Sequence, residues 1–232
     1  MVGFAATEPS IGNAEPGQSE KTKSMTRQNP PSAKPMPRPS VFFDRDNTLI
    51  INDGYLGDPK KVALMPGAAD AVARSRSLGF AIVTISNQSG VARGLFDESA
   101  VQAVDRRMDE LLAAENPGAK IDLHLYCPYH PEAVVPAYRQ ESQLRKPAPG
   151  MILLAAKQLG LDLSRSWVIG DGHRDIEAGI RAGCKTILFI PPDVAQSPAA
   201  SGKNAGDHVA TSLLAAIDLI EKKKRELTAD AR

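Results

Sequence analysis

The chain has 232 residues, of which 42% are hydrophobic and 24% charged, with a formal net charge of +1. That length supports one substantial domain plus a tail, and the near-neutral balance excludes a global field drawing the molecule to nucleic acid or to an anionic membrane surface. Two cysteines, Cys127 and Cys184, are too few for a disulfide framework, no apolar run reaches the ~20 residues of a membrane span, and no basic segment followed by an apolar one opens the chain, so a cytoplasmic monomer is expected.

Residues 1–40 read as a disordered tail. Pro9, Pro16, Pro30, Pro31, Pro35, Pro37 and Pro39 stand among Ser, Gln, Asn and Lys, and the few apolar side chains cannot offset the entropy of ordering. Met25 is an alternative start. A domain is expected over 41–225, with 226–232 as a frayed C-terminus.

From Val41 onward, short apolar runs alternate with helical patterns. Strands are expected at 41–44, 80–86, 121–127, 166–170 and 186–190, each rich in Val, Ile, Leu or Phe and followed by turn residues. Helices fall between them. One spans 66–78 and ends at Gly79. Asp97 can cap a second, which carries Val101, Val104, Met108, Leu111 and Leu112 on one face. Further helices are expected at 150–159, 175–182 and 210–225, the first two ending at Gly160 and Gly183. Alternating strands and helices predict an α/β fold, a doubly wound and mainly parallel sheet of Rossmann-like type. In such sheets ligands bind outside the carboxyl ends of the strands.

Polar residues collect at those ends. The first strand delivers Asp44-Arg45-Asp46-Asn47-Thr48, in which two carboxylates are either held by a cation or solvated in an Asx-type turn. The second delivers Ser86-Asn87-Gln88-Ser89-Gly90, a hydroxyl with successive backbone N–H groups that can cradle a phosphate. Arg145-Lys146-Pro147 precedes the helix at 150; a lysine there is either an anion ligand or a solvated charge. The fourth strand delivers Gly170-Asp171-Gly172-His173-Arg174-Asp175, where Asp171 can reach the crevice of Asp44 and Asp175 can either do so or cap the next helix.

The order of these groups resembles the four motifs of the haloacid-dehalogenase-like hydrolases over 41–190. The runs Phe43 to Thr48, Asp53-Gly54-Tyr55, Ser86 to Gly94 and Arg145 to Met151 look like one subgroup, the D-glycero-D-manno-heptose-1,7-bisphosphate 7-phosphatases and the related histidinol-phosphate phosphatases. The resemblance implies a Mg²⁺-dependent phosphomonoester hydrolase acting on a small phosphorylated sugar. Asp44 would be the nucleophile and Asp46 the acid–base. The metal would sit on Asp44, the Asp46 backbone carbonyl and Asp171, with Asp175 and Gly172 as further candidates. Ser86, Asn87 and Lys146 would hold the phosphoryl oxygens, while Asn52, Asp53, Gly54, Tyr55, Gln88, Ser89 and Arg145 would contact substrate. The spacing from Asp46 to Ser86 leaves room for a loop and one helix, so no large cap domain is expected.

The resemblance breaks in the loop that many relatives build around structural zinc. Cys127 remains, but Tyr129, Ser142 and Leu144 stand where the other ligands would be, and Cys127 with His130 cannot complete a tetrahedral set. No zinc is expected; Pro128, Tyr129, Pro131 and Tyr138 are candidates for ordering the loop instead. Asn47 stands where many relatives have Gly, and Asn tolerates left-handed backbone. His124, His173 and His208 read as surface or packing residues, and Cys184 as a core residue. Two rivals stand beside the heptose reading: a histidinol-phosphate phosphatase, and an inert phosphate-binding module.

Overall fold

The structure, a computed structural model, describes residues 37–191 and 206–229. In chain order the elements are β1 (Ser40–Phe43), α1 (Ala68–Ser77), β2 (Ala81–Asn87), α2 (Ser89–Ala92), α3 (Glu98–Glu115), β3 (Leu123–Cys127), α4 (Gly150–Leu159), β4 (Trp167–Gly170), α5 (His173–Arg181), β5 (Lys185–Phe189), β6 (His208–Ala210) and α6 (Leu213–Ala229). Short 3-10 turns lie at Pro59–Lys61, Pro136–Tyr138 and Leu163–Arg165.

The six strands form one sheet in the order β3-β2-β1-β4-β5-β6, with every pairing parallel. Side chains alternate across it, as the strand period of two requires. Val41 and Phe43 point to one face, with Ile82, Ile169 and Ile187, where Val72 of α1, Val104 and Met108 of α3 and Ile217 of α6 cover them. Phe42 points to the other, with Val83, Ile85 and Val168, under Met151 and Ile152 of α4 and Ala178 of α5. Both faces of β1 are closed, which explains why its sequence is an unbroken apolar run.

The chain winds outward from β1 through β2 to β3, then crosses back to β4 on the other side. β1 therefore sits at the switch point, and its carboxyl end opens into a crevice. Between Asp46 and Ser86 there are only a 3-10 turn, α1, loops and most of β2 itself, so no cap domain intervenes.

The boundaries differ from expectation in physically explicable ways. Among the described residues the first pairing is at Arg38, whose carbonyl accepts from Asp162 N–H and which bridges to Leu161; of the expected tail, residues 1–36, including Met25, lie outside the described residues. A sixth strand, β6, precedes the last helix, which starts at Leu213 and not at 210: Ala210 belongs to the sheet, paired with Phe189. That helix continues to Ala229, past the expected end at 225, supported by Lys223–Glu226 and Arg225–Glu221 pairs at helical spacing. α5 starts at His173, two residues before Asp175. Among the described residues no helix is long and apolar enough to cross a membrane.

Candidate active site

After β1 the backbone turns sharply. Leu49 and Ile50 N–H both donate to the Arg45 carbonyl at 3.0 Å, and Asn47 takes φ 57°, the left-handed conformation its short amide tolerates. This turn leaves Asp44 at the carboxyl end of the central strand β1, 8% exposed, with its backbone N–H still paired to Ile169 O at 2.9 Å.

Lys146 crosses to it from the loop before α4. Its buried ammonium meets Asp44 Oδ1 at 2.7 Å, Asp175 Oδ1 at 2.5 Å and the Ile85 carbonyl at 2.8 Å. The Asn87 side chain fixes the Lys146 backbone on both sides, donating to its carbonyl and accepting from its N–H at 3.0 Å each. Asp175 serves both roles considered from the sequence. From the first turn of α5 it accepts the Gly172 N–H through Oδ2 at 3.0 Å, while Oδ1 faces Lys146. Gly170 makes room for this, because a Cβ there would lie 2.4 Å from Asp175 Cβ.

One oxygen from each of Asp44, Asp171 and Asp175 lies within 4.8 Å of the others. Among the described residues this is the one cluster of three or more His, Cys, Asp or Glu side chains arranged to share an ion. Burial and the nearby Asp175 push Asp44 well above the usual carboxylate range, and Lys146 does not reverse the effect. Asp171 is exposed to solvent, yet the desolvation its neighbours impose, followed by Asp175, raises it too. Burial opposes the charge on Lys146, but Asp175 and Asp44 outweigh it and keep the ammonium protonated. Three carboxylates face one cation. The cluster lacks positive charge, and its all-oxygen donors suit a hard divalent ion such as Mg²⁺.

Asp46 has the opposite surroundings. Arg45, 1% exposed, donates to it through Nε and NH2 at 3.2 Å each and to Asp105 of α3 through NH1 at 3.0 Å. Asn52 Nδ2, Ser86 Oγ and Gln88 Nε2 add bonds of 2.8, 3.0 and 2.7 Å. Burial works against ionisation of Asp46, but the Arg45 charge and these bonds hold its carboxyl below the usual range.

The crevice encloses about 530 Å³. Of the sequence candidates, Asp44, Asp46, Gly54, Tyr55, Ser86, Asn87, Ser89, Arg145, Lys146, Asp171, Gly172 and Asp175 line it. Asn52 and Gln88 stand behind the wall with their amides turned onto Asp46, and Asp53 is exposed outside it.

A family model described as HAD-hydrolase-like matches residues 143–216. A D-glycero-β-D-manno-heptose-1,7-bisphosphate 7-phosphatase of Rhodopseudomonas palustris is 44% identical over 158 residues, which cover 68% of this chain and 86% of that protein. The chain belongs to the haloacid-dehalogenase-like family, in its heptose-bisphosphate phosphatase branch. A second such protein, from Mesorhizobium japonicum, is 38% identical over 188 residues, 81% of this chain and 86% of that one. Among solved structures, D,D-heptose 1,7-bisphosphate phosphatase from B. bronchiseptica, complexed with magnesium and phosphate, aligns with TM-score 0.68 at 30% identity, covering 81% of this chain and 99% of that one.

The phosphatase also has crevice residues that strand-end reasoning does not reach. Arg93, His130 and Arg174 line the mouth beside Arg145. Arg93 lies 5.6 Å above the Tyr55 ring. Burial first, and then the charges of Arg174 and Arg93, pull Arg145 below its usual range. None of these three guanidiniums has a carboxylate within ion-pair distance among the described residues. A run such as Val-Ala-Arg-Gly has no periodicity that would assign Arg93 to a cavity; only its place in the family motif marks it.

Proposed function

We propose that this phosphatase removes the 7-phosphate of D-glycero-D-manno-heptose 1,7-bisphosphate through an aspartyl-phosphate formed on Asp44. The observation that carries the reading is the crevice's charge layout, with a carboxylate-rich floor below and, at the mouth, three guanidiniums that have no carboxylate partner among the described residues. A substrate with one phosphate at the floor and a second anionic group at the mouth matches both ends. The named activities of the relatives agree with it.

Asp44, the Asp46 backbone carbonyl and Asp171 would hold Mg²⁺, with Gly172 and Asp175, the third carboxylate of the cluster, as further candidates. When bound, the ion would supply the missing positive charge and screen the anionic nucleophile from the anionic phosphate. Lys146 orients Asp44 through its 2.7 Å contact and faces the charge that develops on the phosphoryl oxygens, a role Ser86 shares. Asp44 attacks phosphorus in line, and the phosphorus–alkoxide bond breaks. An arriving phosphate raises the proton affinity of Asp46, which protonates the departing alkoxide. Once ionised again, a state its surroundings favour, Asp46 takes a proton from the water that cleaves the acyl phosphate.

The test is a phosphate-release panel with heptose bisphosphate, histidinol phosphate and simple sugar monophosphates, with and without chelator. Heptose bisphosphate is expected to lead histidinol phosphate by about 100-fold or more in kcat/KM, because three guanidiniums repel the amine of histidinol. Asp44→Asn and chelation should each abolish turnover. Hydrolysis of histidinol phosphate with the bisphosphate untouched would assign the rival substrate, and a parent protein inert toward the whole panel would leave only a binding role.

A further inference from the structure

The wall formed by residues 128–145 contains one 3-10 turn and no other regular element, yet it delivers His130 and Arg145 to the crevice. A long segment of this kind needs tertiary anchors to stay ordered. One anchor stands at the start of α3. The Glu98 carboxylate accepts the Tyr126 hydroxyl through Oε2 at 2.8 Å and the Tyr138 hydroxyl through Oε1 at 2.9 Å. Tyr126 belongs to β3 and Tyr138 to the loop, so one side chain ties strand, helix and loop together. Asp97 caps α3 by accepting the Ala100 N–H at 2.9 Å, which fixes the turn that carries Glu98.

From Tyr138 the links run to the crevice. Its carbonyl accepts the His130 N–H at 3.1 Å, and its ring tilts against Tyr129 with centroids 6.1 Å apart. The Tyr129 carbonyl in turn accepts from Arg145 NH1 at 3.2 Å. Beneath the loop, Tyr129 and Leu144 pack on the core that contains Cys127, the Cys127 thiol donates to the Tyr129 carbonyl at 3.9 Å, and the Ser142 hydroxyl accepts the Leu144 N–H at 3.1 Å. The positions that hold zinc in relatives thus meet here as a packed plug. Leu144 has no donor atom, and this set does not fit a tetrahedral N/S site.

We propose that Glu98, Tyr126 and Tyr138 form a positioning clamp that holds the 128–145 wall, and with it Arg145, in place without a metal ion. Hydrogen bonds to a carboxylate are among the stronger kind. Burial and then Glu98 push the Tyr126 phenol up to about 12, so it remains a donor at neutral pH. The expected effect on KM rests on the crevice being the substrate site; the effect on loop order does not.

The experiment uses the full chain and the variants Tyr138→Phe and Glu98→Gln, read by hydrogen exchange and by steady-state kinetics. Exchange of the His130, Tyr138 and Arg145 amides should quicken about tenfold in each variant, the size of one lost charge-assisted bond. KM for heptose bisphosphate should rise about five- to tenfold, with kcat within about twofold of the parent. Combining the two changes should add little to either alone, since both break the same link. Zinc and zinc chelators should leave exchange of the wall unchanged in the parent. Parent-like exchange in both variants overturns the clamp, as does loop protection that appears only with zinc. A fall in kcat at unchanged KM would overturn the positioning role. A parent inactive on the bisphosphate would count against the substrate reading alone, and the exchange arm would still decide the clamp.

Discussion

Replacing Lys146 with methionine tests the charge balance of the crevice floor. The substitution keeps most of the apolar stem and removes an ammonium that touches Asp44, Asp175 and the Ile85 carbonyl. It leaves three carboxylates facing one another with no counter-charge. Breaking a buried ion pair from one side costs roughly 3–5 kcal/mol, so the metal-free variant should lose about that much stability at pH 7. The loss should shrink toward pH 5. Burial and Asp175 already raise Asp44, and a carboxyl raised in the folded state binds protons there that the unfolded chain releases, so folding gains as pH falls through the raised value. Turnover with Mg²⁺ should fall by about 10²- to 10³-fold, the scale of one lost transition-state charge contact. Urea denaturation in chelator at pH 5, 6 and 7 and a phosphate-release assay would read these effects. A variant as stable as the parent at pH 7, or turnover within tenfold of it, would refute the reasoning.

The same titration should govern Mg²⁺ binding at the proposed site. Asp44 and Asp171 are both raised, so protons compete with Mg²⁺, and the melting shift it produces should grow from pH 5 to pH 7; a shift largest at pH 5 would contradict this. Asp105→Ala strips the fully buried Arg45 of one of its two carboxylates and should destabilise the fold by roughly 3 kcal/mol, read as a lower denaturation midpoint at unchanged slope. Gly170→Ala forces a Cβ to within 2.4 Å of Asp175 Cβ; it should cost about 1–3 kcal/mol and weaken Mg²⁺ binding, measured by calorimetric titration, whereas unchanged binding would show that Asp175 can move.

Much of the fold was legible because strands buried on both faces of a parallel sheet must be unbroken apolar runs, and polar residues at their carboxyl ends are candidates for the crevice. Asp44, Ser86 and Asp171 were each ambiguous alone, and their order along the chain marked them as one site. β6 escaped because three residues of an edge strand carry almost no periodic signal. The direction of Gln88 was equally hidden: nothing in Ser-Asn-Gln-Ser distinguishes an amide facing substrate from one turned back onto Asp46. Asp105 did leave a trace, since it falls on the same helical face as Val101, Val104 and Met108, where an acid needs a buried partner. Burial and Asp175 raise Asp44, whereas at Asp46 the Arg45 charge and its hydrogen bonds overcome burial and lower it, a contrast that two aspartates two positions apart do not reveal. Motif matching assigns roles but does not count the counter-charges around each carboxyl.

Glu98 and Asp105 both project from α3, two helical turns apart, or roughly 10 Å along its axis. Through Glu98 the helix grips the wall that bears Arg145; through Asp105 and Arg45 it grips Asp46. A displacement of this one rod would therefore carry the Arg145 side and the Asp46 side of the crevice together, preserving their mutual spacing while changing both relative to the sheet that carries Asp44.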